Sequence, residues 1–242
     1  MDLGIAGRRA AVAAGSSGLG LASAAALAAE GVEVAICGRD VERLSAAAER
    51  IGGACTPIVA DVGTPDGAAG FVDAASAAIG PIDILVPNAG GPPPGTFAST
   101  DVEAYRTALD LNLMSVVAMC KTAVPPMQER GWGRVIAITS VSVRQPIASL
   151  ILSNTARAGA TAFLKTLALE VFADGVTVNS VQPGLHRTPR VEQVYPADEL
   201  GTMSMGDPAD FGKIVAFLCG EQAKFTTGAH LNVDGGTYLG LL

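Results

Sequence analysis

The chain has 242 residues, 49% apolar and 16% charged, which suits a sheet covered by helices on both faces and excludes a disordered chain. Its net charge of -7 gives no long-range attraction to nucleic acid or anionic lipid, so neither is an expected partner and any phosphate is held by local geometry. The four cysteines lack Cys-x-x-Cys spacing, and His186 and His230 have no ligand-like neighbours, so the cysteines read as reduced thiols and no metal site is expected.

The uncharged run 10–29 follows Arg8 and Arg9 and superficially resembles a leader or a membrane span. Gly15-Ser16-Ser17-Gly18 at its centre is turn chemistry, so the run reads as strand 10–14, a loop and helix 19–30, with Gly31 closing the helix. Strand 32–37 and helix 41–51 follow, with Asp40 placed to cap the helix. Next come strand 57–60 with helix 65–79, strand 82–86 with helix 102–130, and strand 134–139 with helix 150–172. Strand 177–181, helix 208–219 opened by Asp207-Pro208, and strand 230–233 complete the chain. This alternation predicts right-handed βαβ units in one cytoplasmic α/β domain over residues 1–242, with no linker and no membrane segment. Two stretches fall outside it, 90–96 and 183–206, and both read as loops, the second as a lid or substrate wall.

Between the first strand and the first helix, Gly15, Ser16, Ser17, Gly18, Leu19 and Gly20 form a small-residue loop of the kind that closes backbone amides around a pyrophosphate. At the end of the second strand Gly38 offers no acid for a ribose 2′-hydroxyl, whereas Arg39 can meet a 2′-phosphate with its planar fork. NADP is therefore the expected cofactor, with NAD as the alternative.

These residues resemble the short-chain dehydrogenase/reductase family, and the likeness runs from Gly7 to Leu242. The family's Thr-Gly-x-x-x-Gly-x-Gly corresponds to Ala13 through Gly20, its adenine-contacting acid to Asp61-Val62, and its Asn-Ala-Gly to Asn88-Ala89-Gly90. Its asparagine and serine of the active site correspond to Asn112 and Ser140, its nicotinamide wall to Pro183-Gly184, and its carboxamide contact to Thr188. The resemblance implies a Rossmann-type doubly wound fold with a seven-stranded, mostly parallel sheet in the order 3-2-1-4-5-6-7. It also implies a homo-oligomer, a tetramer or a dimer, with the apolar ending Tyr238-Leu239-Gly240-Leu241-Leu242 buried against a neighbour.

Two departures stand out. Ala13 and Ala14 replace Thr and the first Gly of the phosphate loop; a methyl there crowds the turn, Gly15 is placed to relieve the strain, and weaker cofactor affinity is expected. Where the family carries Tyr-x-x-x-Lys, this chain has Ser153-Asn154-Thr155-Ala156-Arg157, so Ser153 stands for the tyrosine and Arg157 for the lysine on one helix face. A serine alcohol is a far weaker acid than a phenol, and an arginine that stays charged does not relay protons, although its fork can hold ribose hydroxyls. The substitute donors are Ser153 through water, Ser140 with a water held by Asn112, His186 beside the nicotinamide wall, and Tyr195 on the loop. The resemblance thus implies an oxidoreductase of a carbonyl/alcohol pair, similar to 3-oxoacyl-carrier-protein reductases, acting on a small carbonyl compound or an acyl thioester. The alternative is a non-catalytic or regulatory nucleotide-binding protein that kept the fold after losing the chemistry.

Overall fold

Strands that are apolar on both faces need cover on both sides, and the intervening helices supply it. In the computed structural model, which describes residues 1–53 and 55–241, the chain begins β1 (Arg9–Val12), α1 (Gly18–Ala29), β2 (Glu33–Gly38), α2 (Val41–Ile51), β3 (Cys55–Val59), α3 (Pro65–Ile79) and β4 (Ile84–Val86). It continues through α4 (Val102–Leu109), α5 (Ser115–Glu129), β5 (Gly133–Ile138), α6 (Ile151–Val171) and β6 (Val176–Pro183). The last elements are α7 (Pro189–Val194), α8 (Ala197–Leu200), α9 (Pro208–Cys219) and β7 (His230–Val233).

The seven strands form one sheet in the order β3-β2-β1-β4-β5-β6-β7, as expected, and every pairing is parallel. Alternate residues of a strand enter opposite layers. Ala11, Ala35, Leu85, Val135 and Ala137 meet α3, α5 and α6, while Ala10, Val34, Ile84, Ile136 and Ile138 meet α1, α2 and α9. The helix connecting β1 to β2 therefore covers one face, and the helices connecting β4 to β5 cover the other. The run 10–29 resolves into β1, a turn and α1, as its central turn residues require.

The caps follow the sequence reading. Asp40 accepts from the Arg43 amide at 3.0 Å and Asp207 from the Ala209 amide at 2.8 Å, and Gly31 leaves α1 with φ +78°. These amide and side-chain bonds from Arg43 hold the Asp40 carboxyl below its ordinary range. Thr64 and Asp101 cap α3 and α4 in the same way.

Two expectations need correction. The stretch 102–130 is not one regular helix, because residues Asp110–Met114 adopt a π turn between α4 and α5. The segment 183–206 is not all loop: Pro189, with its fixed φ and missing amide hydrogen, opens α7, and α8 follows. The helical stretch Val102–Glu129 is long and apolar enough to cross a bilayer, and here Met119, Cys120, Ala123, Val124 and Met127 face the core.

α9 packs closely on α1 because Gly212 lets the two backbones approach; a methyl at that position would collide with the Ala22 carbonyl. Gly212→Ala is expected to cost roughly 1–3 kcal/mol through overpacking, read as a lower denaturant midpoint. A variant as stable as the parent would show that the helices have room to spare.

Candidate active site

The turn after β1 is the first part of the site. The Ala13 amide donates to the Val86 carbonyl at 3.1 Å and the Gly15 amide to the Cys37 carbonyl at 2.9 Å, so the turn is pinned to both neighbouring strands. The expectation for Gly15 is corrected here. Ala14, with φ +47°, takes the left-handed conformation itself and is the one non-glycine residue to do so among the described residues. Its amide donates to the Cys37 sulfur at 3.4 Å, and burial pushes that thiol's pKa up to about 12, so Cys37 is a neutral packing group. Gly15 serves close approach, since a Cβ there would lie 2.8 Å from Ile36 Cβ. Gly20 is needed where α1 passes the Ala14 carbonyl and the Asn88 amide. Asn88 in turn donates to the Ala13 carbonyl at 3.3 Å, joining the ends of β1 and β4.

α1 differs from the other long helices of the first half of the chain. Its N-cap residue, Ser17, makes no side-chain cap bond, whereas α2, α3 and α4 each have one. The first amides of α1, with their share of the helix dipole, therefore stay open to a ligand. Gly38 keeps the neighbouring space clear, because a Cβ there would sit 2.9 Å from Ser16 Oγ. Arg39 and Asp61 stand at the rim, 3.9 Å apart and 79% and 55% exposed, so their mutual attraction is weak and the guanidinium is free to take a stronger partner.

The second part lies at the ends of β4, β5 and β6. Ser140 caps a short 3-10 turn, its Oγ accepting from the Ser142 amide at 3.1 Å. Ser153 and Arg157 lie one turn apart on α6, both buried at the edge of the cavity, and the Ser153 hydroxyl makes no hydrogen bond among the described residues. The Arg157 guanidinium spans two strand ends. Its Nη1 donates to the Ile138 and Thr139 carbonyls at 3.0 and 3.2 Å, and Nη2 to the Ala89 carbonyl at 3.5 Å. Burial, followed by the nearby charge of Arg190, lowers its pKa to about 10.

Asn112 sits in the π turn, whose extra residue turns the side chain inward. Its Nδ2 donates to the Gly90 carbonyl at 3.0 Å, and its Oδ1 is buried with no partner among the described residues. On the third side, Arg190 of α7 donates from Nη2 to the Pro92 carbonyl at 2.7 Å and from Nη1 to Gln193 at 3.3 Å. Three side chains from three elements thus hold three of the four carbonyls of one backbone stretch, residues 89–92.

One cavity of about 1250 Å³ joins these parts. Of the residues singled out from sequence, Ser16, Ser17, Gly18, Leu19, Arg39, Asp61, Val62, Asn88, Ala89, Gly90, Ser140, Ser153, Arg157, Pro183, Gly184 and Thr188 all line it. Gly15, Gly20 and Asn112 do not, and they act from behind the wall on the loop backbones described above. Tyr195 lines the cavity too, at the end of α7. His186 also reaches it but is buried rather than solvated. Its Nδ1 bonds the Gly184 carbonyl at 3.2 Å, and its ring packs edge-on against Phe211 with centroids 5.2 Å apart. Sequence reasoning missed Arg190, Gln145 and the apolar lining residues Ile147, Leu150 and Val191.

Comparison with known proteins agrees with this geometry. Residues 13–238 match the family described as Enoyl-(Acyl carrier protein) reductase. The rabbit (Oryctolagus cuniculus) protein named Dehydrogenase/reductase SDR family member 4 is 33% identical, over 96% of this chain and 94% of its own length. L-sorbose reductase from Gluconobacter frateurii, solved with NADPH and L-sorbose, superposes with a TM-score of 0.92 at 32% identity, covering all of both chains. A short chain oxidoreductase from Pseudomonas aeruginosa PAO1, described as containing an atypical catalytic center and solved with NADPH, has a TM-score of 0.88 at 30% identity, over 96% of this chain and 97% of that one.

The left-handed Ala14 costs about 1–2 kcal/mol, of which added backbone freedom in the unfolded chain would take back part on substitution by glycine. Ala14→Gly is therefore expected to gain about 0.5–1 kcal/mol, a rise of about 2 °C in Tm by scanning calorimetry. A fall in Tm would show that the methyl's packing outweighs its conformational strain.

Proposed function

This chain belongs to the short-chain dehydrogenase/reductase family, and we propose that it is an NADP(H)-dependent oxidoreductase of a carbonyl/alcohol pair whose Ser153 and Arg157 replace the family's tyrosine and lysine. The observation that carries the reading is the continuous cavity running from the uncapped N-terminus of α1 to two serine hydroxyls and a fixed guanidinium. The residues present fit the cofactor. The α1 amides and Ser16 would hold the pyrophosphate, Arg39 the 2′-phosphate, Asp61 and Val62 the adenine end, and Pro183, Gly184 and Thr188 the nicotinamide. When bound, NADP(H) supplies or takes the hydride.

The chain's own contribution is to position the substrate oxygen and manage charge on it. Ser140 and Ser153 offer hydroxyls to that oxygen, and Asn112 keeps residues 89–92 in place behind them. Arg157 cannot act as a proton relay at neutral pH, because even its lowered pKa leaves it charged. It instead presents a fixed positive charge, held by three carbonyls, near developing negative charge. The proton then comes from water through the unpartnered Ser153 hydroxyl. His186 is a poorer donor, since its ring is fixed by Gly184 and Phe211 inside the wall.

The same reading makes the protein a homo-oligomer, a tetramer or a dimer. Leu239 and Leu241 are 87% and 97% exposed and are available to a second copy, while Leu242 lies outside the described residues. Light scattering at micromolar concentration is expected to give a multiple of 24.3 kDa, and a monomer would refute this part.

A positioned phenolic acid is worth about 10²–10⁴-fold in such a step, so restoring one has a large expected effect. NADPH oxidation with a panel of ketones and oxoacyl thioesters is expected to be slow, and Ser153→Tyr to raise kcat at least ~10-fold on the best substrate. NADPH is expected to bind more tightly than NADH by fluorescence titration. Tight NADPH binding without turnover in either protein would favour the non-catalytic alternative.

A further inference from the structure

The cavity is electrostatically lopsided. Its acidic lining residues, Asp40, Glu42 and Asp61, all belong to the end beside β2 and β3. The other end, around Ser140 and Ser153, is lined by Arg157 and Arg190 and, among the described residues, by no aspartate or glutamate. Neither arginine has a carboxylate partner among the described residues, in a chain whose net charge is -7. Two unpaired guanidiniums facing one partly desolvated space repel each other, and an entering anion converts that repulsion into attraction.

The arginines are not equally available. Arg157 spends three hydrogen bonds on strand-end and loop carbonyls. Arg190 is half-buried and spends two, on Pro92 and Gln193, so that of a guanidinium's five N–H donors most remain to be used. Its plane lies flat over Gly91, where an ideal Cβ would come 2.8 Å from Nε, and this holds the fork in one orientation. Burial lowers the pKa of both arginines, and the charge of Arg190 lowers that of Arg157 further. Ile147, Leu150, Val191 and Val194 give this end apolar walls, interleaved with the neutral polar side chains of Gln145, Gln193 and Tyr195.

We propose that the substrate is a carbonyl or hydroxy acid whose carboxylate is bound by Arg190, with Arg157 reinforcing the field. The inference rests on the oxidoreductase reading and names the substrate class for that site. A carboxylate suits a planar fork with unspent donors, and a short apolar stem on the substrate would meet the aliphatic walls.

The test compares oxo acids of three to six carbons with their methyl esters, in both turnover and binding. Binding is measured by calorimetry on the complex with oxidised cofactor, so it does not depend on catalysis. The acids are expected to bind more tightly than their esters, and Arg190→Gln to weaken the acids ~10- to 100-fold more than it weakens the esters, which report any loosening of the wall at Pro92. Arg190→Lys, which keeps the charge and loses the fork, should fall between. If the acids show no advantage over the esters, or if Arg190→Gln weakens NADPH binding and not acid binding, the inference is overturned and the oxidoreductase reading stands. If the acids bind through Arg190 but nothing is turned over, the carboxylate site stands and the oxidoreductase reading fails.

Discussion

The site depends on one topological constraint, the reversal of strand order between β1 and β4. Parallel strands all end on the same edge of the sheet, and the chain leaving β1 turns to one face while the chain leaving β4 turns to the other. No connection can cross the gap between them, so a crevice opens at that edge. It separates the turn after β1 from the stretch after β4, and residues of both, Ser16 and Ser17 on one side and 88–91 on the other, line the cavity. Asn88 bridges the crevice floor through the Ala13 carbonyl, which holds the two strand ends at a fixed spacing.

A second constraint follows from the first. Beyond Pro87, whose carbonyl still accepts from the Ile138 amide of β5 at 3.0 Å, the stretch after β4 leaves the sheet, so its carbonyls need donors from elsewhere. Arg157, Asn112 and Arg190 provide them at Ala89, Gly90 and Pro92. Each donor comes from a different element, α6, the π turn and α7, and the stretch becomes a rigid wall built from remote parts of the chain. Rigidity matters for the chemistry proposed here, because a charge that does not move stabilises a transition state without the cost of reorganising around it.

What could be read from sequence is what repeats along it. Strand and helix alternation, the caps at Asp40 and Asp207, and the small-residue turn before α1 depend on local pattern, and the structure keeps each one. The features missed depend on distant contacts. The π turn at Asn112 adds a residue without breaking the apolar period of the helix, so no local signal marks it. His186 is buried by Phe211, which follows on a later helix, and sequence alone does not bring the two rings together. Arg190 reads as a loop arginine until α7 forms and lays it over Gly91. Ala14 against Gly15 is a subtler case. Pattern suggests that glycine takes the strained conformation, but the close approach to Ile36 claims Gly15 and leaves the left-handed position to alanine.

The two departures proposed at 153 and 157 are consistent with each other. A guanidinium is larger than an ammonium and spreads five donors over three nitrogens in a plane, so it can span carbonyls on two strand ends that the single nitrogen of a lysine would have to gather at one point. Once tied to Ile138, Thr139 and Ala89 it is fixed as a charge, whereas proton exchange would require it to be released. A small residue at 153 leaves space in front of that charge, and the Ser153 hydroxyl faces the space without an internal partner. The proposed division of labour follows: fixed charge from Arg157, a mobile proton from water through Ser153, and, where the substrate is an acid, orientation from Arg190. The three carbonyls also explain how the fold tolerates the buried charge: they satisfy the guanidinium and it satisfies them, so one group both braces the wall and supplies the positive charge that the proposed chemistry uses.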